Sequence, residues 1–125
     1  MVVSPLKRDE AGYYTMDLED FESKIDGVKL FILCNPHNPV GRVWTPEELK
    51  AVGGLCVRYG VKILSDEIHS DLMLNGRKHT CMASVSPDIA AVTTTFIAPS
   101  KTFNLAGLQS STIIFDTEGR KDQYV

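Results

Sequence analysis

The sequence predicts an α/β domain built on a mainly parallel sheet. Three observations lead there. Short, β-branched apolar runs recur along the chain: "VKLFILC" (Val28–Cys34), "VKILS" (Val61–Ser65) and "AVTTTFI" (Ala91–Ile97). Their ends fall about 31 residues apart, a spacing that suits β-α-β units with continuous apolar strands. A strongly signalled helix lies between the first two.

Each element has its own justification. Met1–Tyr14 reads as an extended strand and loop. In "DLEDFESKI", Leu18, Phe21 and Ile25 share one face of a short helix behind Asp17. The run Val28–Cys34 follows. The main helix is "TPEELKAVGGLCVRYG". Thr45 is its N-cap, Pro46 its first residue, and Glu48 completes a capping box. Leu49, Val52, Cys56 and Tyr59 form its apolar stripe, and Gly60 supplies the stop. Gly53-Gly54 lowers helix propensity, which close packing on the sheet explains. A fourth strand, "STIIF" (Ser111–Phe115), follows the third.

Composition narrows the function classes. A chain of 125 residues can bury a real core as one domain. Its 43% hydrophobic and 23% charged residues are those of a soluble globular protein. A net charge of -3 argues against nucleic acid and anionic membranes as partners. No apolar run approaches the roughly 20 residues of a membrane span. "MVVSPLKRDE" turns polar too soon for a signal peptide. Cys34, Cys56 and Cys81 are scattered, which suits reduced thiols in the cytoplasm and no metal site.

In a parallel α/β sheet, ligands gather at the carboxyl ends of the strands. Each of the three runs delivers polar residues there: "NPHNPVG" (Asn35–Gly41), "SDEIH" (Ser65–His69) and "APSK" (Ala98–Lys101). An amide, a carboxylate and an amine therefore converge on one rim. Lys101 reads either as a surface-turn lysine or as a nucleophilic amine, since desolvating a lysine is costly unless something uses it. Asp66 reads either as the N-cap of a helix "EIHSDLML" or as the partner of a protonated heterocyclic nitrogen. The two Asn-Pro steps make a rigid turn, or a turn that aims an Asn inward through a cis bond. His69, three residues beyond Asp66, shares a helical face with it and is either a half-buried helix histidine or a cofactor contact. His37 reads as loop filler and His79 as a surface residue. Trp44 and Phe103 read as packing residues, the cysteines as core or near-core thiols.

Together, "CNPHNPVGRVW", "SDEIHSDL" and "APSKTFNLAGL" resemble, in this order and spacing, the large domain of fold-type I pyridoxal-phosphate enzymes of the class I/II aminotransferase family. More narrowly they resemble the cystathionine β-lyase-like C–S lyases of the MalY/PatB type. The resemblance implies the three-layer α/β/α large domain of that fold and pyridoxal 5′-phosphate as cofactor. It implies that Lys101 joins the cofactor as a Schiff base and later carries the substrate α-proton. Asp66 pairs with the pyridinium nitrogen, Asn38 with the cofactor 3′-oxygen and Ser100 with its phosphate. His69 stands where many aminotransferases place a tyrosine, a departure the lyase branch shares. Gln109 stands where many place a phosphate-binding arginine, eight residues beyond the lysine; an amide lacks the charged fork.

The implied activity is β-elimination of cystathionine or cysteine S-conjugates to pyruvate, ammonia and a thiol. The alternatives are amino transfer from an L-amino acid to a 2-oxo acid and a truncated, non-catalytic module. The resemblance further implies a homodimeric cytoplasmic parent about three times this length. Residues 1–125 then form part of its large domain, without the upstream segment or the small C-terminal domain. Such a piece is expected to have little or no activity by itself.

Overall fold

The computed structural model describes residues 1–116; residues 117–125, which include "GRKDQYV", lie outside them. The Met1–Tyr14 segment forms less strand than its sequence suggests. Only Lys7–Arg8 (β1) and Tyr14–Thr15 (β2) pair, as an antiparallel ribbon. Helix α1, Leu18–Lys24, starts on Asp17, whose side chain accepts from the Asp20 amide.

The main sheet contains β3 (Leu30–Cys34), β4 (Lys62–Asp66), β5 (Thr93–Ile97) and β6 (Thr112–Ile114), in that order. The first three strands are parallel; β6 returns antiparallel to β5.

Helix α2, Pro46–Tyr59, links β3 to β4 as its sequence predicts. Thr45 and Glu48 form a reciprocal capping box. Gly60 ends the helix in the left-handed conformation, φ 69°, where its amide reaches the carbonyls of Cys56 and Val57. Leu49, Val52, Leu55 and Cys56 pack into one core with Leu33, Trp44, Val61, Ile63, Met82 and Ile89. Two details differ from expectation. Tyr59 stays outside the core, 39% exposed, with its hydroxyl near Glu22. The close approach at Gly53 is not to the sheet: a Cβ there would meet Ile89 Cδ1 and Met82 Cε at 2.7 Å, while Gly54 faces open space. Those partners come from the segment between β4 and β5, which holds a 3-10 turn, Met82–Ser84, and helix α3, Pro87–Ala90.

The strands are less buried than a fully covered parallel sheet would make them. Leu33, Ile63, Thr93 and Thr95 face the α2 side and are buried, while Leu30 and Ile32 are exposed. The physical reason is one-sided cover: α2 and α3 pack on the face that carries Ile63 and Thr93.

Candidate active site

The three strand ends are level. Register pairs Cys34 with Asp66 and Asp66 with Phe96. Two further hydrogen bonds carry the alignment past the strands, from the Asn35 amide to the Asp66 carbonyl at 2.9 Å and from the Glu67 amide to the Phe96 carbonyl at 2.8 Å. The loops holding Asn38, Asp66 and Lys101 therefore leave one rim of one sheet, at adjacent positions.

The first loop is pinned at its base. The His37 amide donates to the Arg42 carbonyl at 2.7 Å, and the Gly41 amide to the His37 carbonyl at 2.9 Å. Both Asn-Pro bonds, Asn35-Pro36 and Asn38-Pro39, are cis. Arg42, only 4% exposed, is the residue around which the base is built. Its guanidinium meets both Glu48 carboxylate oxygens, at 2.8 and 2.7 Å, and the Tyr14 carbonyl. It also lies over the Tyr13 and Trp44 rings, 4.2 and 4.5 Å from their centroids. Trp44 is buried as expected and donates Nε1–H to the Cys34 carbonyl at 3.0 Å. His37 packs edge-on against Trp44, and burial pushes its pKa down despite a hydrogen bond with the Cys34 backbone. This scaffold leaves Asn38 at the exposed tip.

Asp66 is the last residue of β4, not the cap of a helix. Residues 68–71 form a turn and 67 and 72–74 are irregular, so the expected "EIHSDLML" helix is absent and Asp66 and His69 do not share a helical face. Asp66 Oδ1 instead accepts the Ile68 amide at 3.2 Å, closing a local side-chain turn. With Leu64, Ile68, Phe96, Ile97 and Ala98 it borders a cleft of ≈190 Å³. Cys34, its register partner, has its thiol pushed up by burial and by the Asp66 carboxylate, against a hydrogen bond with the Asn38 backbone.

Lys101 sits in a single helical turn, α4 (Pro99–Thr102), directly beyond β5. Its side chain is exposed rather than desolvated. Among the described residues it has no ion pair, and Asn38 and His69 have no side-chain hydrogen bond. Ser100 is half-buried in the same turn, and the Thr102 hydroxyl reaches Asp71 at 3.1 Å, tying α4 to the turn that carries His69. Phe103, expected to pack, is 64% exposed, because no described element lies over it. Gln109 is exposed as well, at φ 48°.

The sequence reading missed one constellation beside this rim. Glu67 is 2% exposed. Its carboxylate accepts Ser65 Oγ–H at 2.8 Å and the Met82 amide at 3.0 Å, and lies 2.7 Å from His79 Nε2. His79 is thus no surface residue; its side chain is 14% exposed. Burial opposes ionisation of Glu67, but the bonds from His79, Met82 and Ser65 outweigh it and hold its carboxyl below the usual range. The signal was present: Ile63, Ser65 and Glu67 repeat with period two, so an acid continues the buried face of β4.

The family of aminotransferase class I and II matches residues 1–118. Cystathionine beta-lyase PatB of Bacillus subtilis (strain 168) is 57% identical over 108 residues, which cover 85% of this chain and 28% of PatB. A PLP-bound structure from Clostridium difficile 630 superimposes with a TM-score of 0.94 at 56% identity, over 97% of this chain and 31% of that one. The PLP-bound C-S lyase from Staphylococcus hominis superimposes with a TM-score of 0.91 at 40% identity, over 98% of this chain and 32% of the lyase. The chain thus spans about a third or less of the length of the proteins it matches.

Proposed function

The chain belongs to the aminotransferase class I and II family, and from that premise we propose that it is part of the large domain of a pyridoxal-phosphate-dependent C–S β-lyase. One observation carries the reading. Parallel register levels the ends of three adjacent strands: Asp66 closes the middle one, and the loops that carry Asn38 and Lys101 leave the two beside it. The donor set fits the cofactor: an amide, an acid that borders an otherwise largely apolar cleft, and an exposed amine. The similarity to PatB and to the Staphylococcus hominis lyase favours the lyase branch over amino transfer. Gln109 and His69, two departures from the common aminotransferase pattern, agree.

When bound, pyridoxal phosphate supplies an electron sink for the pair released at the substrate α-carbon. Lys101 would hold the cofactor through Nζ and, as a free amine, would take the substrate α-proton. Asp66 would pair with the pyridine nitrogen and favour its protonated form. Asn38 would donate from its amide to the 3′-oxygen, which His69 would also contact. Ser100 would donate its hydroxyl to the phosphate. The net change converts a cysteine S-conjugate such as cystathionine, with water, into a thiol, pyruvate and ammonia. Other parts of the subunit complete the site and grip the substrate carboxylate. We further place the protein in the cytoplasm as a homodimer; the three unpaired cysteines support a reducing compartment.

The test uses the full-length protein mixed with pyridoxal phosphate and cystathionine. Pyruvate and homocysteine must form with no 2-oxo acid added as acceptor. Amino transfer that requires an acceptor, with no free pyruvate, would replace this reading by the aminotransferase one. Lys101→Ala must remove the visible absorbance of lysine-bound cofactor; if the band persists unchanged, the role given to Lys101 is wrong.

A further inference from the structure

We propose that Glu67 is a positioning residue for this site: its buried carboxylate, held by Ser65, His79 and the Met82 amide, fixes the end of β4 and so aims Asp66 into the cleft. The inference rests on the cofactor reading above only for the identity of what Asp66 meets. The aiming itself follows from the geometry. In extended chain, successive side chains point to opposite faces. Ile63, Ser65 and Glu67 are 1%, 0% and 2% exposed and lie on the core side. Leu64, Asp66 and Ile68 border the cleft on the other side. The strand sets the face on which Asp66 lies, and the hold on Glu67 keeps that alternation through the first residue beyond the strand.

Glu67 is held from several directions. Its amide is bonded to the Phe96 carbonyl on β5. One carboxylate oxygen takes Ser65 Oγ–H and the Met82 amide, from its own strand and from the 3-10 turn beyond the loop. The other meets His79 Nε2 within that loop. Three donors converging on one buried group call for a group with only acceptors, which an ionised carboxylate is. The clamp also closes the long 67–82 segment against the strand end from which it departs, and that segment contains both His69 and the Asp71 partner of α4. The charged and titratable groups around the clamp are His79, Cys81 and the adjoining Asp66. The Asp66 side chain accepts one hydrogen bond among the described residues, from the Ile68 amide. The ladder to Cys34 and Phe96 holds its backbone, and the clamp holds the residue that follows, on which the Ile68 amide depends.

Two readouts on the full-length protein test this. First, amide exchange of Ile68 is measured in the cofactor-free protein. Glu67→Ala should accelerate it by about tenfold, with Glu67→Gln in between, because the Asp66–Ile68 bond loses its fixed geometry. Second, pyridoxal phosphate affinity is measured by absorbance titration for Glu67→Ala, Asp66→Asn and the double variant. Outer residues that orient a binding group are typically worth on the order of tenfold in affinity. Glu67→Ala should therefore raise Kd by about tenfold when Asp66 is present and leave it unchanged in the Asp66→Asn background. Where Glu67→Ala does not fold, Glu67→Gln is judged by the same two criteria. Ile68 exchange at the wild-type rate overturns the proposal, and so does an equal rise in Kd in both backgrounds, the mark of general destabilisation. If Ile68 responds as expected but the wild type takes up no cofactor, the positioning role stands and the cofactor reading falls.

Discussion

Glu67 and Lys101 leave the ends of neighbouring strands, yet their surroundings are opposite. Glu67 is buried with every carboxylate oxygen paired; Lys101 is exposed with no ion pair among the described residues. The same contrast divides the rim as a whole. Asn35, Arg42, Ser65 and Glu67 are buried against the α2 side, and Asn38 and Lys101 are open. Buried polar groups seek partners within the fold: the Glu67 carboxylate and the terminal nitrogens of Arg42 find them, while Asn35 Oδ1 and Arg42 Nε have none among the described residues. Asn38 and Lys101, the groups proposed to hold a ligand and move a proton, have no such requirement. The comparison teaches that the frame of the site and its reacting groups answer to different constraints, and that substitutions should separate them.

The widest separation should come from Lys101→Ala. Activity of the full-length enzyme should fall by at least about a thousandfold, as when a proton-transferring group is lost. Its melting temperature should hold within a degree or two, because an exposed, unpaired lysine contributes little stability. A large fall in melting temperature would break the contrast. Trp44→Ala should do the reverse, costing about 3–5 kcal/mol in denaturant unfolding through an internal cavity and the lost bond to the Cys34 carbonyl. Gly53→Ala should cost about 1–3 kcal/mol, since the new methyl collides with Ile89 and Met82, whereas Gly54→Ala, facing open space, should be neutral or slightly stabilising. Thr45→Ala should cost about 1 kcal/mol by removing one half of the capping box.

The finest test uses pH. Glu67 titrates below its ordinary value of 4.5 in the folded protein. Its contribution is therefore complete above pH 4.5 and fades as pH falls through the lower, folded value. Unfolding measured from pH 7 downward should show the wild type losing its advantage over Glu67→Gln only below about pH 4.5. A gap that stays constant through that range would mean the clamp does not depend on the ionised carboxylate.

Local signals made much of the frame legible. Thr45, Pro46, Glu48 and Gly60 bracket α2, and the structure follows them to the residue. The branched runs marked β3, β4 and β5 to within a few residues, and polar residues after each marked the rim. What misled were claims about surroundings. Asp followed by Glu-Ile-His suggests a helix start, but the Asp66 side chain turns back onto the Ile68 amide and Glu67 is drawn into the core, so turns form instead. His79 reads as a surface residue between Lys78 and Thr80 until Glu67 is placed beside it. Phe103 looks like core by residue type and is exposed.

The sequence by itself determined the succession β3, α2, β4, β5 and β6, the caps of α2, and the three motifs whose combination marks the family. These depend on neighbours a few residues apart, through backbone hydrogen bonds and periodic burial, and such information is written locally. The tertiary structure alone decided that β6 runs antiparallel, that Gly53 makes room for Met82 and Ile89, and that Arg42 and Glu67 are the buried charges behind the rim. Each of those depends on groups far apart in sequence: Glu67 meets Met82 across fifteen positions and Arg42 the Tyr14 carbonyl across twenty-eight. A buried charge is tolerated only where such distant donors or acceptors arrive, and only the folded chain brings them.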